Sequence, residues 1–324
     1  MPTLKLTVIA PVFNEEQGIT YFHQRTRKVL DSLDDVDATL LYVVDRCTDG
    51  TLEVLRRLAE GDSNARIIAL SSRFGHQMSL LAGIHNSLDA DAIIMMDSDL
   101  QHPPELIPEL LKNYRHGFDV VYTVRRDTES IGLVRKIAGN FFYGVLGRIS
   151  QVPINANAAD FRLISSRVAR ILSSDFKESK MFLRGLFSLI GFNQIGVEYV
   201  AEKRYAGQSK YSFSRMVQLA MTGVLSFSTK PLQIGVFVGV GFALLAFALI
   251  CVAIIKYVVM QYIPDGWTTL VVLSLLFSGI QLIVLGIMGA YIGGIYEEVK
   301  GRPRYIIEEI INKNVTQRKV GNEN

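Results

Sequence analysis

The chain has 324 residues and a formal net charge of +3 at pH 7, and 49% of its residues are hydrophobic. A charge this small gives no argument for nucleic acid as a partner. The mean hydropathy of +0.25 is too high for an average soluble enzyme, and the length allows one large domain or two of ordinary size.

The first part of the chain alternates short apolar runs with amphipathic segments, which is typical of β-α-β units and an α/β fold with a mostly parallel sheet. We predict strands over residues 6–12, 40–44, 65–70, 92–96 and 120–123. We predict helices over residues 16–33, 51–59, 77–87 and 104–114. The first apolar run is too short for a signal peptide, so we expect a cytoplasmic N-terminal domain.

Polar residues follow three of these predicted strands. Asn14 and Glu15 come after the first strand, Asp45 after the second, and Asp97 and Asp99 after the fourth. Turns favour Asp and Asn for their own geometry, so each group alone is explained by a turn. Ligands of open α/β sheets bind beyond the carboxyl ends of the strands. The three groups together therefore predict a binding site at one edge of the sheet.

The pair Asp97 and Asp99, one residue apart after a buried strand, indicates a metal. Mg²⁺ and Mn²⁺ prefer oxygen ligands and usually take one or two carboxylates together with substrate phosphates. A solvated turn that caps the strand explains the pair equally well when it is considered alone. With the rest of the chain, the pair predicts a site for a metal ion and a nucleotide.

Two long stretches without charge, residues 231–255 and 267–296, each exceed the roughly 20 apolar residues that cross a bilayer. Buried core helices are the alternative, although such helices rarely run this long without a charge. Basic residues flank the pair on both outer sides, which predicts two spans with both termini in the cytoplasm. Cys47 and Cys251 could hardly pair, as expected in a reducing compartment.

Residues 139–150 and 181–192 are rich in Phe, Leu and Ile with few charges. They predict core helices, with helices that lie on a membrane as the alternative. Residues 216–227 follow a basic segment and predict an interfacial helix. The polar residues after Asn312 predict a disordered tail.

Several motifs occur together and in order. They are residues 11–15, Asp45 with residues 48–51, and residues 74–77, 97–101, 160–163, 206–211, 226–229 and 295–303. As a set they resemble polyisoprenyl-phosphate glycosyltransferases of glycosyltransferase family 2, with the nearest likeness to bactoprenol glucosyltransferases that carry two C-terminal transmembrane helices. The likeness covers nearly the whole chain and implies a Rossmann-like GT-A catalytic domain followed by juxtamembrane amphipathic helices.

The resemblance implies inverting transfer of one hexose from a nucleotide sugar to a membrane polyprenyl phosphate, with Mg²⁺ or Mn²⁺ as cofactor. UDP-glucose and undecaprenyl phosphate are favoured, in a bacterial plasma membrane. A GDP-mannose-dependent enzyme similar to dolichol-phosphate mannose synthases and a non-catalytic nucleotide-sugar-binding membrane protein are the alternatives. Two spans are few for a solitary membrane domain, so we expect a homo-oligomer packed through small residues such as Gly235, Gly239 and Gly241. The implied regions are residues 1–205 (catalytic), 206–230 (acceptor loop and interfacial helix), 231–296 (transmembrane hairpin) and 297–324 (cytoplasmic tail).

The resemblance also assigns residues by position. The residues assigned to donor binding are Pro11, Phe13, Glu15, Asp45, Asp97, Ser98, Asp99, Gln101 and Arg125. Metal binding falls to Asp97, Asp99 and Gln101, and the acceptor phosphate to Arg204, Ser209 and Lys210. Asp97, Asp99 and Asp160 are the implied catalytic residues, with Asp160 acting as a base or as electrostatic support near the sugar. A salt bridge from Asp160 to Arg162 or to another neighbour is the structural alternative.

The chain departs from the family pattern at three places. Arg46 and Cys47 stand where a Gly-Ser pair is usual, Arg73 replaces an Asn, and residues 290 and 294 lack the common Glu and Arg. None of these changes removes a metal carboxylate, so we expect retained activity. The only tryptophan, Trp267, lies outside the Gln-x-x-Arg-Trp motif of processive synthases, which favours a single transfer. No serine or cysteine nucleophile motif with a histidine partner supports a covalent mechanism.

Overall fold

A computed structural model of the chain describes residues 3–126, 158–178, 183–200, 230–260, 266–312 and 315–317. The strands are β1 (Leu4–Val12), β2 (Val36–Val44), β3 (Ala65–Leu70), β4 (Ala92–Met95), β5 (Val120–Arg126), β6 (Ala158–Ser165), β7 (Gln194–Val200), β8 (Ile307–Asn312) and β9 (Val315–Gln317). The α-helices are α1 (Ile19–Asp31), α2 (Thr51–Gly61), α3 (His76–His85), α4 (Ile107–Arg115), α5 (Ser166–Ser174), α6 (Leu183–Ile190), α7 (Lys230–Met260) and α8 (Trp267–Val299). A short 3-10 helix, Pro104–Leu106, precedes α4.

The nine strands of the described residues form one mixed sheet in the order β7-β5-β6-β4-β1-β2-β3-β8-β9. β1 pairs in parallel with both β2 and β4, and β2 pairs in parallel with β3. The chain thus moves outward from β1 to β3 and returns on the other side of β1 as β4. Ligands of open sheets bind at such a reversal, beyond the carboxyl ends of the strands. The expected ligand position is therefore beyond the ends of β1 and β4.

The predicted α/β class is confirmed, and so are the predicted elements of the first 126 residues. In β1 every residue from Leu6 to Val12 is buried. Such a run, apolar and without alternation, is typical of a central strand that is covered on both faces. The core helix predicted over residues 181–192 is present as α6, while the segments 139–150 and 216–227 lie outside the described residues.

β6, the strand that carries Asp160, is not among the strands predicted from the sequence. β6 lies between β4 and β5 and runs antiparallel to both. Met95 of β4 is opposite Arg162 in this antiparallel register. If the register is extended by two residues on each strand, Asp97 comes opposite Asp160. Charged residues hid the strand pattern, yet Arg162 is 3% exposed, and its guanidinium lies 4.4 Å from the centre of the Phe187 ring.

Two strands within residues 297–324 were also not predicted. β8 pairs antiparallel with β3, and β9 pairs with β8, so the predicted disorder after residue 312 is wrong for residues 315–317. Glu309 points inward from β8 and pairs with Arg56 of α2, which explains how an acidic residue fits a buried strand position. The Tyr305 hydroxyl and His85 Nδ1 are 2.7 Å apart, and burial lowers the pKa of His85 to about 4.

The helices α7 and α8 belong to a second compact unit that includes residues 212–301. One stretch of the described residues, Leu276–Val299 in α8, is long and apolar enough to cross a membrane, and none of it is buried. The absence of buried residues in this stretch argues against the alternative of a core helix. α7 is a continuous helix over the other predicted span, but its described residues contain no stretch that meets the same criteria of length and hydropathy. The prediction of two spans is thus supported for one.

Close packing of α3 on β1 yields a first testable prediction. A Cβ atom at Gly83 would lie 2.5 Å from Cγ2 of Ile9, a side chain with no exposed surface. We expect Gly83→Ala to lower the free energy of unfolding by about 1–3 kcal/mol, because overpacking outweighs the better helix propensity of alanine. Urea denaturation of the purified protein measures this change.

Gly61, at the end of α2, is the matched control, since a Cβ atom added there would have no other atom within 4 Å. Gly61→Ala is expected to leave stability unchanged or to raise it slightly. Equal stability of the Gly83→Ala variant and the parent protein would contradict the close packing of α3 on β1.

Candidate active site

The turn after β4 holds the Asp97 and Asp99 carboxylates in place. The buried Ser98 hydroxyl donates a hydrogen bond to the Pro11 carbonyl at 2.9 Å, which ties this turn to the end of β1. The Gln101 amide donates to Asp99 Oδ1 at 3.1 Å. Leu100 has a φ of 64° and is buried, and a side chain in this left-handed conformation persists only where the surroundings fix it. The turn is therefore a defined element that joins two strand ends.

His76 lies between two of the predicted catalytic carboxylates. Its Nε2 atom is 3.5 Å from Asp97 Oδ1 and 3.5 Å from Asp160 Oδ2. Asp160 is set here by β6, and its side chain is 14% exposed. The sequence analysis used His76 as part of a motif but assigned it no role. Its position at the start of α3, after a glycine, is the signal that could have placed it beside the strand ends.

Asp45 is buried after β2 and holds the loop that leads to α3. Its Oδ1 accepts the Phe74 amide at 2.8 Å, and its Oδ2 accepts the Gly75 amide at 2.9 Å. Gly75 has a φ of 90°, a conformation that side chains rarely adopt. Asp45 thus fixes the loop from which His76 extends, and the predicted contact of Asp45 with the nucleotide stays a prediction.

The two departures near Asp45 each have a structural partner. Arg46 donates to the Ser71 carbonyl at 2.8 Å, and the Cys47 sulfur accepts the Asn14 amide at 3.3 Å. Burial raises the pKa of the Cys47 thiol, so it stays protonated near neutral pH. These contacts join the residues after β1, β2 and β3, and they show how the chain accommodates Arg-Cys in place of Gly-Ser.

Arg73 forms a cation-π pair with Phe13, one of the predicted donor-binding residues. The Arg73 guanidinium lies 4.1 Å from the centre of the half-buried Phe13 ring. A planar cation over an aromatic face stabilises the pair by about 0.5–1 kcal/mol at exposed sites. The Arg-for-Asn departure therefore adds a positive charge beside a predicted donor-binding residue.

Arg125, near the end of β5, reaches the turn after β4. Its Nη1 atom is 3.4 Å from Gln101 Oε1. The structure thus brings together the predicted residues of the strand ends: Pro11, Asp97, Ser98, Asp99, Gln101, Arg125 and Asp160. The predicted acceptor-phosphate residues Arg204, Ser209 and Lys210 lie outside the described residues.

A second prediction concerns the loop held by Asp45. Asp45→Asn replaces one acceptor oxygen by an amide that faces a backbone N–H, so one buried donor loses its partner. We expect a loss of about 1–3 kcal/mol in the free energy of unfolding, measured by urea denaturation. Asp37→Asn on the exposed start of β2 is the control and is expected to have no effect. Unchanged stability of Asp45→Asn would show that the two hydrogen bonds do not hold the loop.

The sequence matches the profile "Glycosyl transferase family 2" over residues 7–169. The chain is 36% identical over 306 residues to "Uncharacterized glycosyltransferase YkcC" of Bacillus subtilis (strain 168), covering 94% of each chain. It is 34% identical over 306 residues to "Bactoprenol glucosyl transferase" of Shigella phage SfII, covering 94% of this chain and 98% of the relative.

Among solved structures, the chain is similar to glucosyl-3-phosphoglycerate synthase from Mycobacterium tuberculosis, crystallised with Mn²⁺, UDP and phosphoglyceric acid. The TM-score is 0.46 at 18% identity, with 68% of this chain and 76% of that chain covered. The family assignment rests on the profile match and on the two relatives, and it does not depend on this solved structure. The two relatives align with nearly the whole chain. The chain therefore belongs to glycosyltransferase family 2 and is a glycosyltransferase with the predicted GT-A fold.

Proposed function

We propose that the protein transfers one hexose, glucose from UDP-glucose, to a membrane polyprenyl phosphate, with inversion at the anomeric carbon. The observation that carries the proposal is the meeting of Asp97 and Asp160 on either side of His76 at the strand ends. Relatives of similar length named bactoprenol glucosyl transferase support the choice of glucose and of a lipid acceptor.

The residues at the turn after β4 suit a divalent cation. No group of three His, Cys, Asp or Glu side chains that could enclose a metal occurs among the described residues. Mg²⁺ and Mn²⁺ need no such cage, because they bind through one or two carboxylates and the phosphates of a substrate. Asp97 and Asp99 would supply the carboxylates, with Gln101 beside them. When bound, the ion neutralises charge on the diphosphate leaving group.

The chain's own residues perform the remaining work in this proposal. Arg125, at the same strand ends, complements phosphate charge. The Asp160 carboxylate stabilises the positive charge that develops on the sugar ring during transfer. A lipid phosphate is already ionised near neutral pH, so orientation and charge stabilisation suffice without a strong general base.

A lipid acceptor accounts for the exposed apolar surface of α8. The strand pairing of β8 with β3 supports a second membrane crossing. β8 follows α8 in the chain, yet it joins the sheet that the N-terminal residues form. If α8 crosses a membrane, an even number of crossings is needed to keep both ends of the chain on one side. The 31 residues of α7 are long enough to supply the second crossing, which we propose with both termini in the cytoplasm.

The direct test is transfer by the full-length protein reconstituted in lipid with polyprenyl phosphate and Mg²⁺ or Mn²⁺. A panel of radiolabelled UDP-glucose, UDP-galactose and GDP-mannose identifies the donor. We expect lipid-soluble product from UDP-glucose, with a β-linkage by NMR if the reaction inverts the α-linked donor. Preference for GDP-mannose would overturn the choice of donor. Nucleotide-sugar hydrolysis without labelled lipid would overturn the choice of acceptor.

A further inference from the structure

His102 is a buried histidine that neither the motifs nor the proposed chemistry uses. It lies five residues after Asp97 and is 6% exposed. Its Nδ1 atom accepts a hydrogen bond from the Asp97 backbone amide at 3.1 Å. The same Nδ1 atom is 3.8 Å from Asp97 Oδ2. The ring therefore contacts both the backbone and the side chain of the first carboxylate of the metal pair.

The direction of this hydrogen bond defines the role of the ring. A backbone amide can only donate, so Nδ1 must present its lone pair and the ring proton lies on Nε2. The amide of Asp97 follows directly after the last ladder residues of β4, where strand pairing no longer fixes the peptide plane. At this point the His102 acceptor fixes the peptide plane in place of a strand partner, and it thereby sets the direction in which the Asp97 side chain leaves the backbone.

The other face of the ring connects to the strand that carries Asp160. The His102 and Phe161 rings are stacked, with centroids 5.2 Å apart and an interplanar angle of 23°. Tyr199 of β7 packs edge-on against His102 at 6.0 Å. Phe161 directly follows Asp160 and has no exposed surface. One buried ring thus contacts the segments that carry both carboxylates of the candidate site.

We propose that His102 is a positioning residue that orients Asp97 for the metal-bound nucleotide through its Nδ1 acceptor. This inference rests on the proposed function, because it takes Asp97 as a metal ligand. Groups that hydrogen-bond to metal ligands typically change metal affinity by about 10- to 100-fold when they are removed. A ring that only fills space in the core would not have this effect.

A pair of variants separates the two roles. His102→Asn and His102→Leu both remove the ring and are similar in size, but Asn keeps an oxygen acceptor close to the Nδ1 position. The measurement is Mn²⁺ affinity of the full-length protein in the presence of UDP, by calorimetry or by the Mn²⁺ electron paramagnetic resonance signal. We expect His102→Leu to weaken Mn²⁺ binding about 10-fold or more, and His102→Asn to stay within about threefold of the parent protein.

A third variant covers the case in which the Leu variant fails to fold. His102→Phe keeps an aromatic ring against Phe161 but lacks the acceptor, so its Mn²⁺ affinity is expected to fall as in His102→Leu. Thermal unfolding without metal reports the packing contribution separately. Equal loss of affinity in the Asn and Leu variants, or parent-like affinity in the Leu or Phe variant, would overturn the role of Nδ1. Absence of Mn²⁺ binding in the parent protein with UDP would instead overturn the metal site of the proposed function.

Discussion

Asp97→Ala is expected to lower kcat/KM for sugar transfer by about 10³-fold, equivalent to roughly 4 kcal/mol of transition-state stabilisation. The variant loses one of the two carboxylates that are proposed to hold the ion against the diphosphate. Fold stability is expected to change little, because Asp97 is half-buried at a strand end and contributes nothing to the apolar core. The measurements are the transfer assay in lipid and Mn²⁺ affinity in the presence of UDP.

Asp89→Ala is the matched control for this experiment. Asp89 is an exposed turn residue just before the opposite end of β4, and its replacement is expected to leave both measurements unchanged. If Asp97→Ala keeps full transfer activity, the turn after β4 does not hold the metal. If activity falls while Mn²⁺ affinity stays at the parent value, Asp97 acts on the substrate and not through the ion.

The sequence predicted the central part of the sheet because one physical signal dominates there. Parallel strands that are covered on both faces must be apolar along their whole length, as in β1 and β2, and the turns between them carry the polar residues. The clustering of the Asp-x-Asp pair with Pro11 and Arg125 follows from the same topology.

β6 and β8 were not predicted because their buried charges are compensated by residues from other parts of the chain. β6 contains Arg162, which packs on the Phe187 ring, and β8 contains Glu309, which pairs with Arg56. Local periodicity cannot show such partners. For the same reason the sequence did not assign His76 or His102, because the role of each depends on carboxylates and rings that only the folded chain brings near.

The C-terminal strand also changes the interpretation of the apolar helices. Two spans were predicted from the length and the lack of charge of two apolar stretches, and the described residues support one by length and composition. Pairing of β8 with β3 adds a conditional constraint: if α8 crosses a membrane, the chain must cross it an even number of times to return to its own sheet. The proposed second crossing depends on this condition and not on hydropathy.

The last prediction concerns Asp160, whose role differs from that of Asp97. Asp160→Asn keeps the size of the side chain and removes its charge. We expect kcat to fall by about 10²- to 10³-fold, because the developing positive charge on the sugar loses its stabilising carboxylate. We expect the dissociation constant for UDP-glucose to stay within about threefold, since an interaction made mainly in the transition state affects kcat and not ground-state binding.

Asp175→Asn, at the exposed end of the helix that follows β6, is the matched control and is expected to behave as the parent protein. The solvent deuterium isotope effect on kcat distinguishes the two roles predicted for Asp160. A general base moves a proton in the transition state and predicts an isotope effect that is lost in Asp160→Asn, whereas electrostatic support moves no proton and predicts none in either protein. We expect the second result, because the acceptor phosphate has no proton that must be removed near neutral pH. An Asp160→Asn variant with parent-like kcat would show that Asp160 is a structural partner of His76 and not a catalytic residue.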